Sequence, residues 1–343
     1  MQFIKNGPSI PGELLKARDE GRVVFFCGAG ISQNSAKLPD FSGLTKQVIS
    51  ELGASQHSPA YKAFYGAQRV IDDIRKLEKP DHPEELKRLE ELKQLNESGL
   101  ISGDRVFGLL ERDFFLEDIE QEVARVLKPD PSNENYLDSH RTILQLATTE
   151  SGQTHLVTTN FDQLFEDCDP NVKTYQPPKL PNLSAGDTLD GITYLHGRVN
   201  NDYTGSDSEG SGFVLTSSQY GRAYLSDGWA TSFFKEVLER YTIVFIGYSA
   251  DDPPVQYLLE ALNSKSVQHK IYAFEQGDEQ SASAKWVHRG VTAIPFESFD
   301  LLWDTLASWA KRAQNPEKWC KEIIAKAYKG PTAMEPFERG LIA

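Results

Sequence analysis

The chain has 343 residues, with 36 Lys and Arg against 50 Asp and Glu and a formal net charge of −14. That length can bury a sizeable core, and that acidity argues against direct nucleic-acid binding, which needs a basic surface. Cys27, Cys168 and Cys320 are scattered, so the sequence offers neither a disulfide framework nor a zinc knuckle and fits a reducing, cytoplasmic setting.

No apolar run approaches about 18 residues and the N-terminus lacks a signal-peptide core, so no membrane contact is expected. A helix is predicted over 11–20, with Pro11 suited to its first turn. A buried strand over 23–27 then breaks into Gly28-Ala29-Gly30-Ile31-Ser32. Gly28 and Gly30 lack a Cβ, so the backbone can turn tightly and approach a pyrophosphate, with the free N–H groups of the following helix facing the anion. A strict dinucleotide fingerprint wants a third glycine where Gln33 stands, and Glu51 is only a loose candidate for the ribose-binding acid. Residues 32–42 read as a loop because Pro39 disfavours helix before it, and Leu44, Val48, Ile49 and Leu52 have helical spacing.

Residues 60–127 read as helices with almost no strand signal. The stretch 72–97 alternates charge along a stripe of Leu77, Leu86, Leu89, Leu92 and Leu95. It is either a solvated hairpin broken at Pro80–Pro83 or a partner-binding helix pair. Strands are predicted over 154–159, running into Asn160-Phe161-Asp162, and over 192–195, running into His196-Gly197. Residues 200–212 read as a mobile loop, 213–216 as a short strand and 229–240 as a helix. A strand over 241–246 ends in Gly247-Tyr248-Ser249. Helix over 255–262, strands over 270–274 and 291–294, and a closing helix over 299–311 complete the pattern. After Pro316 it loosens, and the chain ends on apolar residues without a helix cap, read either as the start of a truncated further domain or as a frayed terminus.

Strands alternating with helices predict an α/β fold: a Rossmann-like, doubly wound parallel sheet covered on both faces, with a helical insertion serving as a lid subdomain over about 55–130. A catalytic domain over 1–314 and an extension over 315–343 are the expected division. Four strands end in polar motifs at the sheet edge where open α/β sheets bind ligands. Taken singly, Asn160 and Asp162 could cap the helix predicted over 161–166, His196 could be a buried structural histidine, and Gly247 could be only a turn. Cys27 reads as a small packing residue. His140 and His155 have no partner at metal-ligand spacing and read as structural.

Together the motifs resemble the sirtuin superfamily. Gly28-Ala29-Gly30-Ile31-Ser32 with Pro39-Asp40-Phe41 is similar to its nucleotide loop, and Thr159-Asn160-Phe161-Asp162 to its Gln-Asn-Ile-Asp segment, with Thr159 replacing the glutamine. His196-Gly197 matches the His-Gly, and Gly247-Tyr248-Ser249 the Gly-Thr-Ser. The resemblance spans residues 14 to 309. It implies attack on the bond between ribose and nicotinamide of NAD+ as substrate. On that resemblance Asn160 and His196 are the catalytic pair, Asn160 holding ribose or water and His196 acting as base. Asp162 would bind the carboxamide and Phe41 would shield the ribose. Gly28, Ala29, Gly30, Ser32, Asp40, Thr159, Gly247, Tyr248 and Ser249 would complete the NAD+ site.

Sirtuin deacylases carry four zinc-binding cysteines between these last two motifs, and residues 196–247 contain none. That absence, with the long helical insertion, resembles the zinc-free, NAD-hydrolysing domains of bacterial anti-phage defence proteins. The resemblance implies an NAD+ glycohydrolase without zinc, restrained by homo-oligomerisation or by a fused or partner sensor domain. Deacylation, ADP-ribosyl transfer, and non-catalytic sensing of NAD or ADP-ribose remain alternatives.

Overall fold

The computed structural model describes residues 1–77, 82–97, 102–207, 212–250, 252–260, 271–330 and 334–339. Seven strands form one parallel sheet: β1 (Val23–Cys27), β2 (His155–Thr158), β3 (Thr174–Tyr175), β4 (Gly191–Tyr194), β5 (Thr242–Ile246), β6 (Ile271–Gln276) and β7 (Thr292–Phe296). Their order is β3-β4-β2-β1-β5-β6-β7. The chain leaves β1 for β2 and β4 on one side and returns to β5 on the other. The topological switch therefore lies at β1, and the crevice it creates opens at the C-terminal ends of β2, β1 and β5.

The unbroken apolar runs follow from cover on both faces. Alternate residues of β1 enter different cores: Val23, Phe25 and Cys27 pack with Leu14, Ile143, Leu306 and Trp309, while Val24 and Phe26 pack with Phe234, Val237, Val255 and Trp286. β5 divides the same way, with Val244 and Ile246 on the first face and Ile243 and Phe245 on the second. Helices Gly12–Asp19, Asp138–Ala147 and Phe299–Gln314 cover the first face, and Trp229–Arg240, Pro253–Glu260 and Glu279–Trp286 the second. Buried Arg18 ties helix ends on the first face by donating to the carbonyls of Gln145, Leu146, Thr148 and Ala313.

The Rossmann-like sheet and the helical insertion are as expected. The insertion comprises Pro59–Lys76, Pro83–Glu97, Gly103–Leu110 and Leu116–Val126. It builds a third core in which Phe64, Val106, Phe107, Ile119 and Val123 meet Phe161, Phe213 and Leu215 from the sheet side. On the charge-alternating segment Leu89 is buried while Leu86 and Leu95 stay about half exposed, so its apolar stripe is only partly covered. Its expected break at Pro80–Pro83 falls mostly outside the described residues.

Several expectations are corrected. Residues 32–42 are not one loop: helix Gly30–Ser35 starts inside the glycine turn, and helix Phe41–Glu51 begins directly after Asp40, whose carboxylate caps it through the Gly43 N–H at 2.7 Å. Pro39 ends only the segment between them. Residues 213–216 are buried but form no strand, because side chains take three of their amides: Glu120 accepts from Phe213, and Gln219 from Leu215 and Thr216, while Val214 alone donates to backbone, the His196 carbonyl at 2.9 Å. The helix predicted over 161–166 is Leu164–Cys168; its N-cap, Gln163, makes no side-chain cap, but the Asp162 carboxylate accepts from the Leu164 N–H at 3.3 Å, as the capping reading allowed, and Asn160 does not cap it. After Pro316 the chain is regular helix, Pro316–Tyr328, capped by Asn315. The mobile loop expected over 200–212 is a set of turns up to Asp207 with a Val199–Ser206 bridge, and residues 208–211 lie outside the described ones. Glu51 faces Arg125 on the insertion instead of a ribose site.

Candidate active site

Residues Ala29, Gly30, Ser32, Asp40, Phe41, Thr159, Asn160, Asp162, His196, Gly247, Tyr248 and Ser249 line one cleft of about 470 Å³. Of the residues assigned to the catalytic pair and the NAD+ site from the sequence, Gly28 alone does not line it. Its role is in the wall. A Cβ on Gly28 would sit 2.6 Å from the Gly247 carbonyl and 2.6 Å from the Tyr248 ring, and one on Gly30 would sit 2.8 Å from Gly247 Cα. The missing side chains let the β1 turn and the β5 turn interlock. Gly247 takes part from a φ of 75°, a region glycine enters without steric penalty.

The same interlock corrects the expected phosphate cradle. Gly28 N–H donates to the Ile246 carbonyl and Gly30 N–H to the Gly247 carbonyl, both at 2.9 Å, and Ile31 N–H to Gly28 at 3.2 Å. Of the amides from 28 to 31, that of Ala29 is left for a ligand among the described residues. Tyr248 completes the clasp. Its hydroxyl donates to the Cys27 carbonyl at 2.9 Å and accepts from Thr159, also at 2.9 Å. Cys27 is fully buried and its thiol is pushed well above its ordinary range by desolvation, so it is a protonated packing group.

The centre of the cleft is a closed polar network. Asn160, 8% exposed, directs Nδ2 to the Gly28 carbonyl at 3.2 Å and to Ser32 Oγ at 3.0 Å. A carbonyl can only accept, so the amide orientation is fixed and Oδ1 is the atom left for the cleft. Asn160 thus offers an acceptor there and no donor. Ser32 Oγ donates to Asp162 at 2.7 Å and stands 3.2 Å from His140 Nε2. Since the serine proton goes to Asp162, His140 must carry its proton on Nε2 and donate it. His140 is therefore not an unconnected structural histidine: it lies beneath the site, 3.8 Å from Asp162, while Nδ1 is buried without a partner. Burial pulls its pKa down to about 3, so it is neutral. Desolvation raises the Asp162 pKa and the Ser32 hydrogen bond opposes that rise. His155 lies at the far end of β2 against Tyr241, away from the cleft.

His196, after β4, is 1% exposed. Its ring is enclosed by Phe161, Tyr220 and Tyr224, and Nε2 lies 2.6 Å from the Tyr224 hydroxyl. Burial pulls its pKa to about 3. Phe41, beside the turn, packs on Phe107 of the insertion at 5.6 Å, so the insertion fixes one wall. Among the described residues, no group of three or more His, Cys, Asp or Glu side chains is placed to hold a metal ion.

Residues 154–294 match the family described as SIR2-like domain. The chain contains a SIR2-like domain. The matched segment holds Asn160, Asp162, His196 and Gly247, and the family is NAD-related. A relative in Sinorhizobium fredii, the uncharacterized protein y4cA, is 31% identical over 347 residues, covering 95% of this chain and 26% of that protein. The chain thus spans about a quarter of that relative's length. No helix among the described residues is long and apolar enough to cross a membrane.

The SIR2-like cleft also recruits residues the sequence did not mark. Tyr220 and Tyr224 sit one helical turn apart after Thr216-Ser217-Ser218-Gln219, which forms a capping box. That box was the readable signal for them. Arg75, exposed on the last turn of helix Pro59–Lys76, is the one Lys or Arg lining the cleft among the described residues. Gln33, standing where a third glycine was sought, lines it too, as do Glu275 and Gln276 at the end of β6.

Proposed function

We propose that this SIR2-like domain hydrolyses NAD+ to nicotinamide and ADP-ribose. The observation that carries the reading is the meeting of the Asn160–Ser32–Asp162 network and His196 in one cleft at the switch point of the sheet. Cleavage through an oxocarbenium-like state needs a group to hold the leaving carboxamide, an acceptor for ribose or water, and a base. Asp162 suits the carboxamide as a buried acceptor, Asn160 Oδ1 suits ribose or water, and His196 supplies a neutral imidazole as the base, one whose affinity for a proton burial lowers. The cleft volume lies within the usual range for nucleotide-sized ligands, about 300–1,000 Å³. The activity fits a cytoplasmic effector of bacterial anti-phage defence by abortive infection. Restraint would come from oligomerisation or from a fused or partner sensor domain.

The test follows nicotinamide and ADP-ribose release from NAD+ by wild type and Asn160→Ala, with and without an acyl-lysine peptide. Peptide-independent release that is lost in the variant supports hydrolysis. Release only with peptide makes the domain a deacylase, and tight NAD+ binding without turnover under any condition makes it a sensor.

A further inference from the structure

Tyr220 lies on helix Ser217–Gly221, which the capping box at Thr216 fixes at its start. The helix runs on into a single turn of π-helix, Arg222–Ser226, an irregularity that often marks functional sites. Ser217 ties the same helix to the insertion by donating to Asp104 at 2.7 Å. The Tyr220 ring stands edge-on to His196, with centroids 5.1 Å apart and planes at 74°, and stacks on Tyr224 at 5.8 Å and 12°. The side chain is 3% exposed and lines the cleft beside His196.

Its phenol is an unspent donor. Burial, with Asp104 the largest charge acting in the same direction, holds its pKa well above the ordinary value, so the proton stays on. Among the described residues no group takes that proton, and the oxygen is not one of the fully enclosed polar atoms. Tyr248 and Asp252, whose charges also act on the phenol, line the same cleft. A donor buried this deeply needs an acceptor, and a ligand in the cleft can bring one.

The neighbouring groups define what that acceptor is. Asn160 spends its Nδ2 protons on Gly28 and Ser32, and Ser32 spends its own on Asp162. Asn160 and Asp162 therefore meet a ligand as acceptors. A sugar hydroxyl brings one proton and two lone pairs: Asn160 Oδ1 can take the proton, and a lone pair is then left for a donor. We propose that Tyr220 recognises the sugar, its hydroxyl donating to a hydroxyl oxygen of the ribose that carries nicotinamide. The assignment rests on the reading of the cleft as an NAD+ site with the scissile bond at the Asn160 end.

The experiment is isothermal titration of wild type and Tyr220→Phe with three kinds of ligand: ADP-ribose, its analogues lacking one hydroxyl of the terminal ribose, and ADP, which lacks that ribose. Tyr220→Phe keeps the ring stack and removes only the hydroxyl. It should bind ADP-ribose roughly fivefold more weakly, the loss of one neutral hydrogen bond, and ADP as wild type does. One of the analogues should lose affinity for wild type and lose less for the variant, because one of its contacts is already gone; a role in packing alone would not produce that coupling. Equal affinity of ADP-ribose for both proteins, equal weakening of ADP, or fully additive losses for every analogue overturns the proposal. Should the variant fail to fold, carbon-13 NMR of wild type labelled at tyrosine Cζ decides. The Tyr220 signal, assigned through its ring contact with His196, should shift with ADP-ribose and not with ADP, and a shift with neither or the same shift with both overturns the assignment. If ADP-ribose does not bind wild type, the reading of the cleft fails and Tyr220 with it. If it binds but NAD+ is never turned over, only the hydrolase reading fails.

Discussion

Ser32 can offer one proton and two lone pairs, and its neighbours engage all three: Asp162 takes the proton, Asn160 and His140 donate. An alanine there leaves Asp162 with the Leu164 amide but without its hydroxyl donor, and two buried N–H groups without an acceptor. Each such loss costs on the order of 1–3 kcal/mol, shared among groups that relax together. Ser32→Ala should lower the unfolding free energy by about 2 kcal/mol in urea titrations and reduce nicotinamide release as Asn160 loses its anchor. A variant as stable and active as wild type would mean that the network is incidental. The glycine motif reads differently at this scale from its appearance in the sequence. Gly28 and Gly30 are small because Gly247 and Tyr248 press against them, and two amides expected to face an anion are tied to β5.

Helices of the insertion give the cleft what the sheet does not. Asp40, Asp162, Asp252 and Glu275 line it with carboxylates, and Arg75 comes from helix Pro59–Lys76. A pyrophosphate entering such a site gains from that one guanidinium, since hydrogen bonds to charged groups contribute about 1.5–3 kcal/mol. Arg75→Gln should therefore weaken ADP-ribose binding by roughly tenfold or more. Affinity for adenosine, which carries no phosphate, should be unchanged. Isothermal titration with both ligands checks this; equal weakening of both would place Arg75 in support of the lid rather than at the phosphates. The alternating charges of 72–97 announced a solvated helix pair, but nothing in that pattern said that its first helix would end at the cleft.

Across the whole molecule, burial sets a pH dependence. His140 and His196 are held neutral with pKa values of about 3, against roughly 6.5 in an unfolded chain. A folded pKa depressed in this way gives stability that is fully present above about 6.5 and is lost as pH falls toward 3, because only the unfolded chain takes up the protons. His155, also lowered by burial, acts in the same direction. Asp162 has the opposite sign: its raised pKa favours the folded state at low pH, and that contribution is lost as pH rises through the folded value. It acts from the carboxylate range upward, so the steep loss on mild acidification belongs to the histidines. Stability should drop between pH 6.5 and pH 5 by on the order of 1 kcal/mol per pH unit for each of the two. Urea midpoints at pH 7.5 and pH 5.5 measure it, and equal midpoints would mean that these histidines protonate in the native state.

What the sequence determined by itself was the alternation of buried strands with helices, the polar motifs at the strand ends, and the absence of cysteine between His196 and Gly247. Local pattern suffices there, because a strand buried on both faces must be apolar throughout and must end where polar residues begin. Its failures share one cause. The extended run at 213–216 keeps a single backbone bond, Val214 to the His196 carbonyl, because Glu120 and Gln219 take its other three amides, and the loop expected at 32–42 overlaps helix Gly30–Ser35. Partners distant in the chain decided the site as well. Gly28 fixes the Asn160 amide across 132 positions, His140 reaches Ser32 across 108, and Tyr224 meets His196 across 28. A hydrogen bond is specified by two atoms brought within about 3 Å, and only tertiary packing brings these pairs together.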